Sequence, residues 1–180
     1  MPPWSKEISR SFLKDTQATA AIEFAGAALL LLFGIMNAVD LGSYAFRRME
    51  VENAAQVGGQ MAWKTCYDQS SMWPATQNCP GLNSALASAI QSTSLGTAIK
   101  LSSGYPKEAD YCVTASNLLQ AVGSLSAKPA DCSSVGSAST SPGDYIQIGV
   151  TYAYSPIFSI SVMGASGISS IAKITWMRLG

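Results

Sequence analysis

The chain is 180 residues long, room for one modest domain besides a long helix and hardly for two. Charged residues make up 12%, about half the usual share, and 11 Lys plus Arg balance 11 Asp plus Glu, which leaves no electrostatic case for nucleic acid. Histidine is absent, which excludes Ser-His-Asp and Cys-His nucleophiles and a histidine general base.

Residues 1–17, MPPWSKEISRSFLKDTQ, read as a short cytoplasmic leader without a core of its own. From Ala18 to Val39 the run ATAAIEFAGAALLLLFGIMNAV is apolar or small except at Thr19, Glu23 and Asn37. A helix over this run would rise roughly 33 Å at about 1.5 Å per residue, enough to cross a hydrocarbon core about 30 Å thick. A soluble core helix keeps a polar face and this run has none, so the expectation is a single membrane-spanning or membrane-derived helix. Glu23 stands inside it. A carboxylate at that depth is costly and implies a partner and a task, against the plainer reading that it sits solvated at headgroup depth. A secretory signal peptide cut near Ser43 and Ala45 competes with the membrane reading, but the run is long for one, and Glu23 and Asp40 interrupt its flanks.

Beyond Val39 no proline occurs before Pro74, and Leu41, Tyr44, Arg48, Val51, Ala55 and Gly58 recur at helical spacing. The helix is therefore expected to project from the membrane and to end between Gly59 and Lys64, with Gly58-Gly59 as a kink. Two ladders of small residues lie along it at i, i+4, namely Gly34, Ala38 and Gly42, then Ala54, Gly58 and Ala62. Such ladders let backbones approach closely, which favours helix association, although Ala and Gly also simply fill membrane helices.

The stretch from Thr65 to Pro80 is polar and rich in turn residues, and reads as a loop clipped by Cys66 and Cys79. All four cysteines, Cys66, Cys79, Cys112 and Cys132, follow the apolar helix, which favours two disulfides in an oxidising compartment. Basic residues flank the span on both sides, with Lys6, Arg10 and Lys14 before it and Arg47 and Arg48 after it. The cysteines therefore set the orientation, placing the C-terminal part outside the cytosol. Pairing Cys112 with Cys132 would complete the set, but four cysteines allow three connectivities and spacing does not choose. Without histidine or a close Cys-Cys spacing no zinc site is expected.

A short helix is expected over Asn83 to Gln91, with Asn83 as N-cap and Leu82, Leu86 and Ile90 on one face. Tyr111 to Ala115 reads as a strand, Asn117 to Val122 as a helical turn, and the Ser/Pro/Gly/Ala-rich segment Ala127 to Gly143 as a loop tied down through Cys132. The clearest strand is Asp144 to Tyr154, where Ile146, Ile148, Val150, Tyr152 and Tyr154 share a face. After Pro156, Ile157-Phe158 and a Gly/Ser linker, Ser169 to Arg178 alternates again, with Ser170, Ala172, Ile174, Trp176 and Arg178 on one side. The fold class is α+β: a long N-terminal membrane-spanning and protruding helix, then a small domain with an antiparallel sheet of about three strands packed on a helix. Glu108 and Asp110 read as a solvated strand entrance. With no phosphate-cradling loop or carboxylate cluster the chain is not expected to be an enzyme, and no cofactor is implied.

Residues Thr19-Ala20-Ala21-Ile22-Glu23-Phe24, set between a charged leader and a long apolar run, resemble the processing and assembly motif of type IV pilins. The Glu23-Phe24 pair is similar to that of the Flp/Tad branch. Asp40, Leu41-Gly42, Tyr44-Ala45-Phe46-Arg47 and Asn53-Ala54-Ala55 with Gly58 narrow the resemblance to the TadE-like family of minor pilin-like proteins of tight-adherence pili. The tail, Tyr154-Ser155-Pro156-Ile157-Phe158 and Ala172 to Arg178, is similar to that family as well, while residues 63–140 match nothing familiar.

The resemblance implies a cut by a prepilin peptidase between Ala18 and Thr19, where the family usually has Gly before the cut, and makes Glu23 the fifth residue of the mature chain. An uncleaved bitopic form is the alternative. It also implies a chain divided into a leader (1–18), a pilin-like helix (19–62, membrane-embedded over 19–39) and an extracytoplasmic disulfide domain (63–180). The implied partners are the inner membrane, other pilin or pseudopilin subunits, the peptidase and the pilus assembly platform, in a role in pilus biogenesis and surface adherence. A membrane-anchored extracytoplasmic binding module unrelated to pili is the competing class.

Overall fold

The computed structural model describes residues 16–66, 74–136, 139–158 and 169–179. Residues 1–15 of the expected leader, the centre of the loop between Cys66 and Cys79, and the Gly/Ser linker after Phe158 lie outside the described residues. Of the described residues, 16–43 and 156–158 form one compact unit and the remainder a second.

Helix α1 runs from Thr16 to Cys66. Nothing in its sequence breaks it, and it continues through Gly58-Gly59 to end slightly later than the spacing suggested. In the first unit Asp40 caps the turn after Pro156: its Oδ1 accepts from the backbone N–H of Ile157 at 2.8 Å and of Phe158 at 3.3 Å.

The second unit holds the rest of α1, the short helices α2 (Ala75–Asn78) and α3 (Leu82–Gln91), and five strands: β1 (Ile99–Leu101), β2 (Lys107–Val113), β3 (Leu119–Ala121), β4 (Gly143–Ala153) and β5 (Ser170–Arg178). Helix α3 buries Leu82, Leu86, Ala89 and Ile90, the face its periodicity predicts plus one alanine. Its N-cap is Gly81, in the left-handed conformation at φ 79°, and not Asn83. The Pro80-Gly81 turn starts the helix before Asn83 is reached. At the other end the hydroxyls of Ser92 and Thr93 donate to the carbonyls of Ala89 and Ile90, both at 2.7 Å, occupying acceptors the helix leaves open.

The sheet is antiparallel throughout, with five strands where about three were expected. Strand β4 is its centre. Strand β5 pairs along it from Tyr145↔Arg178 to Ala153↔Ser170. Strands β1 and β2 follow one another against β4, from Ile99↔Tyr152 to Leu101↔Val150 and then from Lys107↔Gln147 to Tyr111↔Gly143. They act as one edge interrupted by the turn at 102–106, and β3 closes outside β2. The expected helical turn over Asn117 to Val122 is instead the return of a hairpin. Asn117 adopts φ 59°, the amide of Leu118 donates to Thr114 Oγ1 at 3.2 Å, and Leu119–Ala121 pairs with β2. Asn tolerates the left-handed region that such a tight turn requires.

Alternation along β4 gives the sheet two dissimilar faces. Ile146, Ile148 and Val150 are fully buried and meet Val51, Ala54, Ala55 and Ala62 of α1 and Leu86 and Ile90 of α3 in one core. Each buried Val, Leu or Ile among them contributes roughly 1.5–3 kcal/mol by leaving water, and each alanine less. At Gly58 α1 comes close to both β4 and α3, since a Cβ there would lie 3.1 Å from methyl carbons of both Ile148 and Ile90. The opposite face carries Lys107 and Tyr111 of β2, Tyr145 and Gln147 of β4, and Ile174, Trp176 and Arg178 of β5, all exposed or only half-buried.

Candidate functional site

Two disulfides hold the domain where the sequence is poorest in regular structure. Cys66–Cys79 ties the end of α1 to the residue after α2, and Cys112–Cys132 ties β2 to the loop before β4, with Cα separations of 5.9 and 5.7 Å. Cys112, Cys132 and Val122 form a small second core around the latter bridge.

The N-terminal part of α1 is organised differently. From Thr19 to Ser43 no side chain is buried, and Ile22, Phe24, Leu30 and Leu31 are each at least two-thirds exposed. It is the one helix among the described residues long and apolar enough to cross a membrane. Glu23 and Phe24 lie on this uncovered surface, as does Thr19, while Ala18 falls in the first turn. Asn37 suits an apolar surround because its side-chain amide donates to the Phe33 carbonyl one turn back at 2.7 Å. At Gly34 and Gly42 an added Cβ would meet nothing within 4 Å, so the ladder Gly34, Ala38, Gly42 is open along the helix. The ladder Ala54, Gly58, Ala62 is not open: Ala54 and Ala62 are fully buried, and all three serve the chain's own core.

Just beyond, Arg47 donates to Glu50 at 2.7 Å, and the Ser94 hydroxyl donates to the other oxygen of Glu50 at 2.6 Å. These bonds, the Ser94 one foremost, hold the Glu50 carboxyl below its usual range. Lys173 of β5 pairs with Glu52 at 3.3 Å, and Tyr44 meets Tyr154 edge to face at 5.4 Å. The Tyr-Ala-Phe-Arg stretch therefore begins the part of α1 that is fastened to the sheet.

The expected solvated strand entrance is a correction. Glu108 and Asp110 are buried, together with Asp144, which the register places directly opposite Asp110. Strand alternation puts Glu108, Asp110 and the disulfide-bonded Cys112 on the core side. Glu108 accepts from the backbone amides of Ala75 and Thr76 at 2.8 and 2.6 Å and from the Thr76 hydroxyl at 2.7 Å, capping α2 in place of a local cap. Asp110 pairs with Lys128 at 3.6 Å. Asp144 is left with one buried carboxylate oxygen, Oδ1, that has no hydrogen-bond partner. Burial, then the neighbouring Glu108 and Asp110, push its carboxyl up to about 7, with Lys128 acting the other way. A period-two reading of Glu108, Asp110 and Cys112 would have shown the shared face; Asp144 was invisible without the strand register. Among the described residues no three His, Cys, Asp or Glu side chains are grouped to hold a metal ion.

The family model described as TadE-like protein matches residues 18–60, from the first turn of α1 to its buried turn around Gly58. The chain carries a TadE-like domain. That TadE-like segment includes Glu23-Phe24, the ladder Gly34, Ala38 and Gly42, the Arg47–Glu50 pair and Ala54 and Gly58 of the second ladder, and it ends before Ala62 and Cys66. No curated protein and no solved structure matches the chain.

Proposed function

We propose that this chain is a minor pilin or pseudopilin of a tight-adherence pilus, inserted in the inner membrane by α1 with its disulfide domain on the periplasmic or extracellular side, and acting in pilus biogenesis and surface adherence. The observation that carries the reading is the uncovered apolar stretch of the TadE-like segment, whose one carboxylate between Thr19 and Val39 is Glu23. A side chain of that kind in a lipid-facing helix needs a positive partner, and a neighbouring subunit's new amino group at Thr19, made by a prepilin peptidase, would supply one. Gly34, Ala38 and Gly42 would then let the neighbouring helix approach closely. On this reading the pilus assembly platform receives the subunit through the membrane helix, and the disulfide domain stays clear of it. The reading assigns no catalysis and no cofactor to the chain.

The Glu23→Gln change tests it. Gln keeps the volume and is cheaper in lipid than a charge, so membrane-fraction level should be unchanged while pilus number falls sharply. Normal pili at normal protein level would transfer the assignment to a membrane-anchored binding module.

A further inference from the structure

The face of the sheet turned away from α1 has a composition of its own. Across β2, β4 and β5 it presents Tyr111, Tyr145 and Trp176 as one aromatic group, with ring centroids 4.9 Å apart for Tyr111 and Trp176 and 5.8 Å for Tyr111 and Tyr145. A fourth ring joins them from the turn before β2. Gly149 has no side chain, and the Tyr105 ring occupies the space, since a Cβ there would come within 2.6 Å of it. Trp176 is still 44% exposed and Ile174 beside it 51%. Polar groups sit between the rings: Gln147 Nε2 donates to the Tyr111 hydroxyl at 2.6 Å.

The charge on this face is of one sign. Lys107 stands 5.0 Å from the Tyr105 ring centre, Lys100 lies opposite Thr151, and Arg178 lies opposite Tyr145. None of the strand residues on this face is acidic, whereas Glu108, Asp110 and Asp144 all turn to the core side. In a chain of zero formal charge, this separation makes one face locally cationic.

We propose that this face binds an acidic polysaccharide, with the rings of Trp176 and its tyrosine neighbours lying against the C–H faces of the sugars and Lys107 and Arg178 pairing with their carboxylates. The mixture of rings and hydrogen-bonding groups decides the class of partner. A protein partner would call for a continuous apolar centre, and here Gln147 and Lys107 cross it. A nucleic acid would call for a run of cations tracking phosphates, and three scattered ones do not form it. A sugar needs apolar rings, hydrogen-bond groups and, when acidic, a few cations at close quarters. The proposal rests on the disulfide domain alone, so it stands or falls separately from the role of Glu23.

The test uses the full chain in detergent with its disulfides intact, and hexasaccharides of alginate, polygalacturonate and hyaluronan as probes, followed by calorimetry. At least one should bind, more weakly as salt is raised, while neutral dextran does not. Trp176→Ala should weaken binding roughly tenfold or more, as truncating a central aromatic anchor does, and Trp176→Phe should recover most of it. Lys107→Gln should weaken it roughly threefold or more and flatten the salt dependence. If Trp176→Ala loses its sheet by circular dichroism, Lys107→Gln decides. Failure of all three probes, native binding by a folded Trp176→Ala or by Lys107→Gln, or equal binding of polyglutamate or oligothymidylate would overturn the proposal.

Discussion

Asp144 faces Asp110 across β2 and β4 with Glu108 two residues along, and Lys128 pairs into this group through Asp110. Its carboxyl holds a proton more tightly in the folded chain, at about 7 against the ordinary 3.8. The folded state therefore binds more protons than the unfolded state between those two values, so stability is greatest at the acid end and falls as pH rises through about 7. Asp144→Asn removes the titration and offers an amide to Glu108. We expect it to raise the thermal midpoint by a few degrees at pH 8, to change little near pH 4, and to reduce the slope between them. Parallel pH profiles for the two proteins, measured by calorimetry, would show that the charge at Asp144 is not what the core resists. The same trio marks the limit of reading residues from sequence. Alternation tells which residues share a face, but not whether that face looks inward at its end, and the contact of Thr76 with Glu108 joins residues 32 apart in the chain, which no local pattern shows.

The long elements were legible, and the short ones were not. β4 and β5 repeat every second residue long enough for the pattern to be plain, and α1 and α3 show their buried faces at three- and four-residue intervals. β1 and β3 are three residues each, too short for any period, and exist because β4 offers the first a partner and β2 the second. The uncovered half of α1 stood out by composition alone. What sequence could not divide was the small-residue ladders, since one is open and the other is filled by Ile90 and Ile148. That division has a consequence for expression. A fragment of residues 44–180 keeps Val51, Ala54, Ala55 and Ala62, and should fold as a soluble disulfide domain; one of residues 63–180 loses all four from the core. Removing that packing surface leaves Ile146, Ile148 and Val150 without the helix that covers them, and should leave the shorter fragment unfolded by amide exchange and circular dichroism. A well-folded 63–180 fragment would mean that α1 is dispensable to the sheet.

For the whole molecule the question is what fraction of it reaches its destination. If the peptidase reads the motif around Thr19, intact-mass analysis of membrane-extracted protein should find a chain about two kilodaltons lighter than the full sequence, from roughly 110 Da per residue over the leader, and starting at Thr19. Protein that keeps its first residues in cells making pili would remove the processing step and leave Thr19 without a free amino group for Glu23.

The central position of β4 also bears on the order in which the molecule can be finished. The two bridges join cysteines 13 and 20 residues apart, so each can close soon after its second half crosses into an oxidising compartment. The sheet has no such local schedule. β4 finds β2 and β1 already behind it, yet one whole side of it stays without a partner until Ser170–Arg178 arrives. A chain emerging in sequence order would thus be chemically locked before it is structurally complete, with an open strand edge exposed to its neighbours in the interval. Whatever keeps such edges apart during export protects the interval between the last bridge and the last strand.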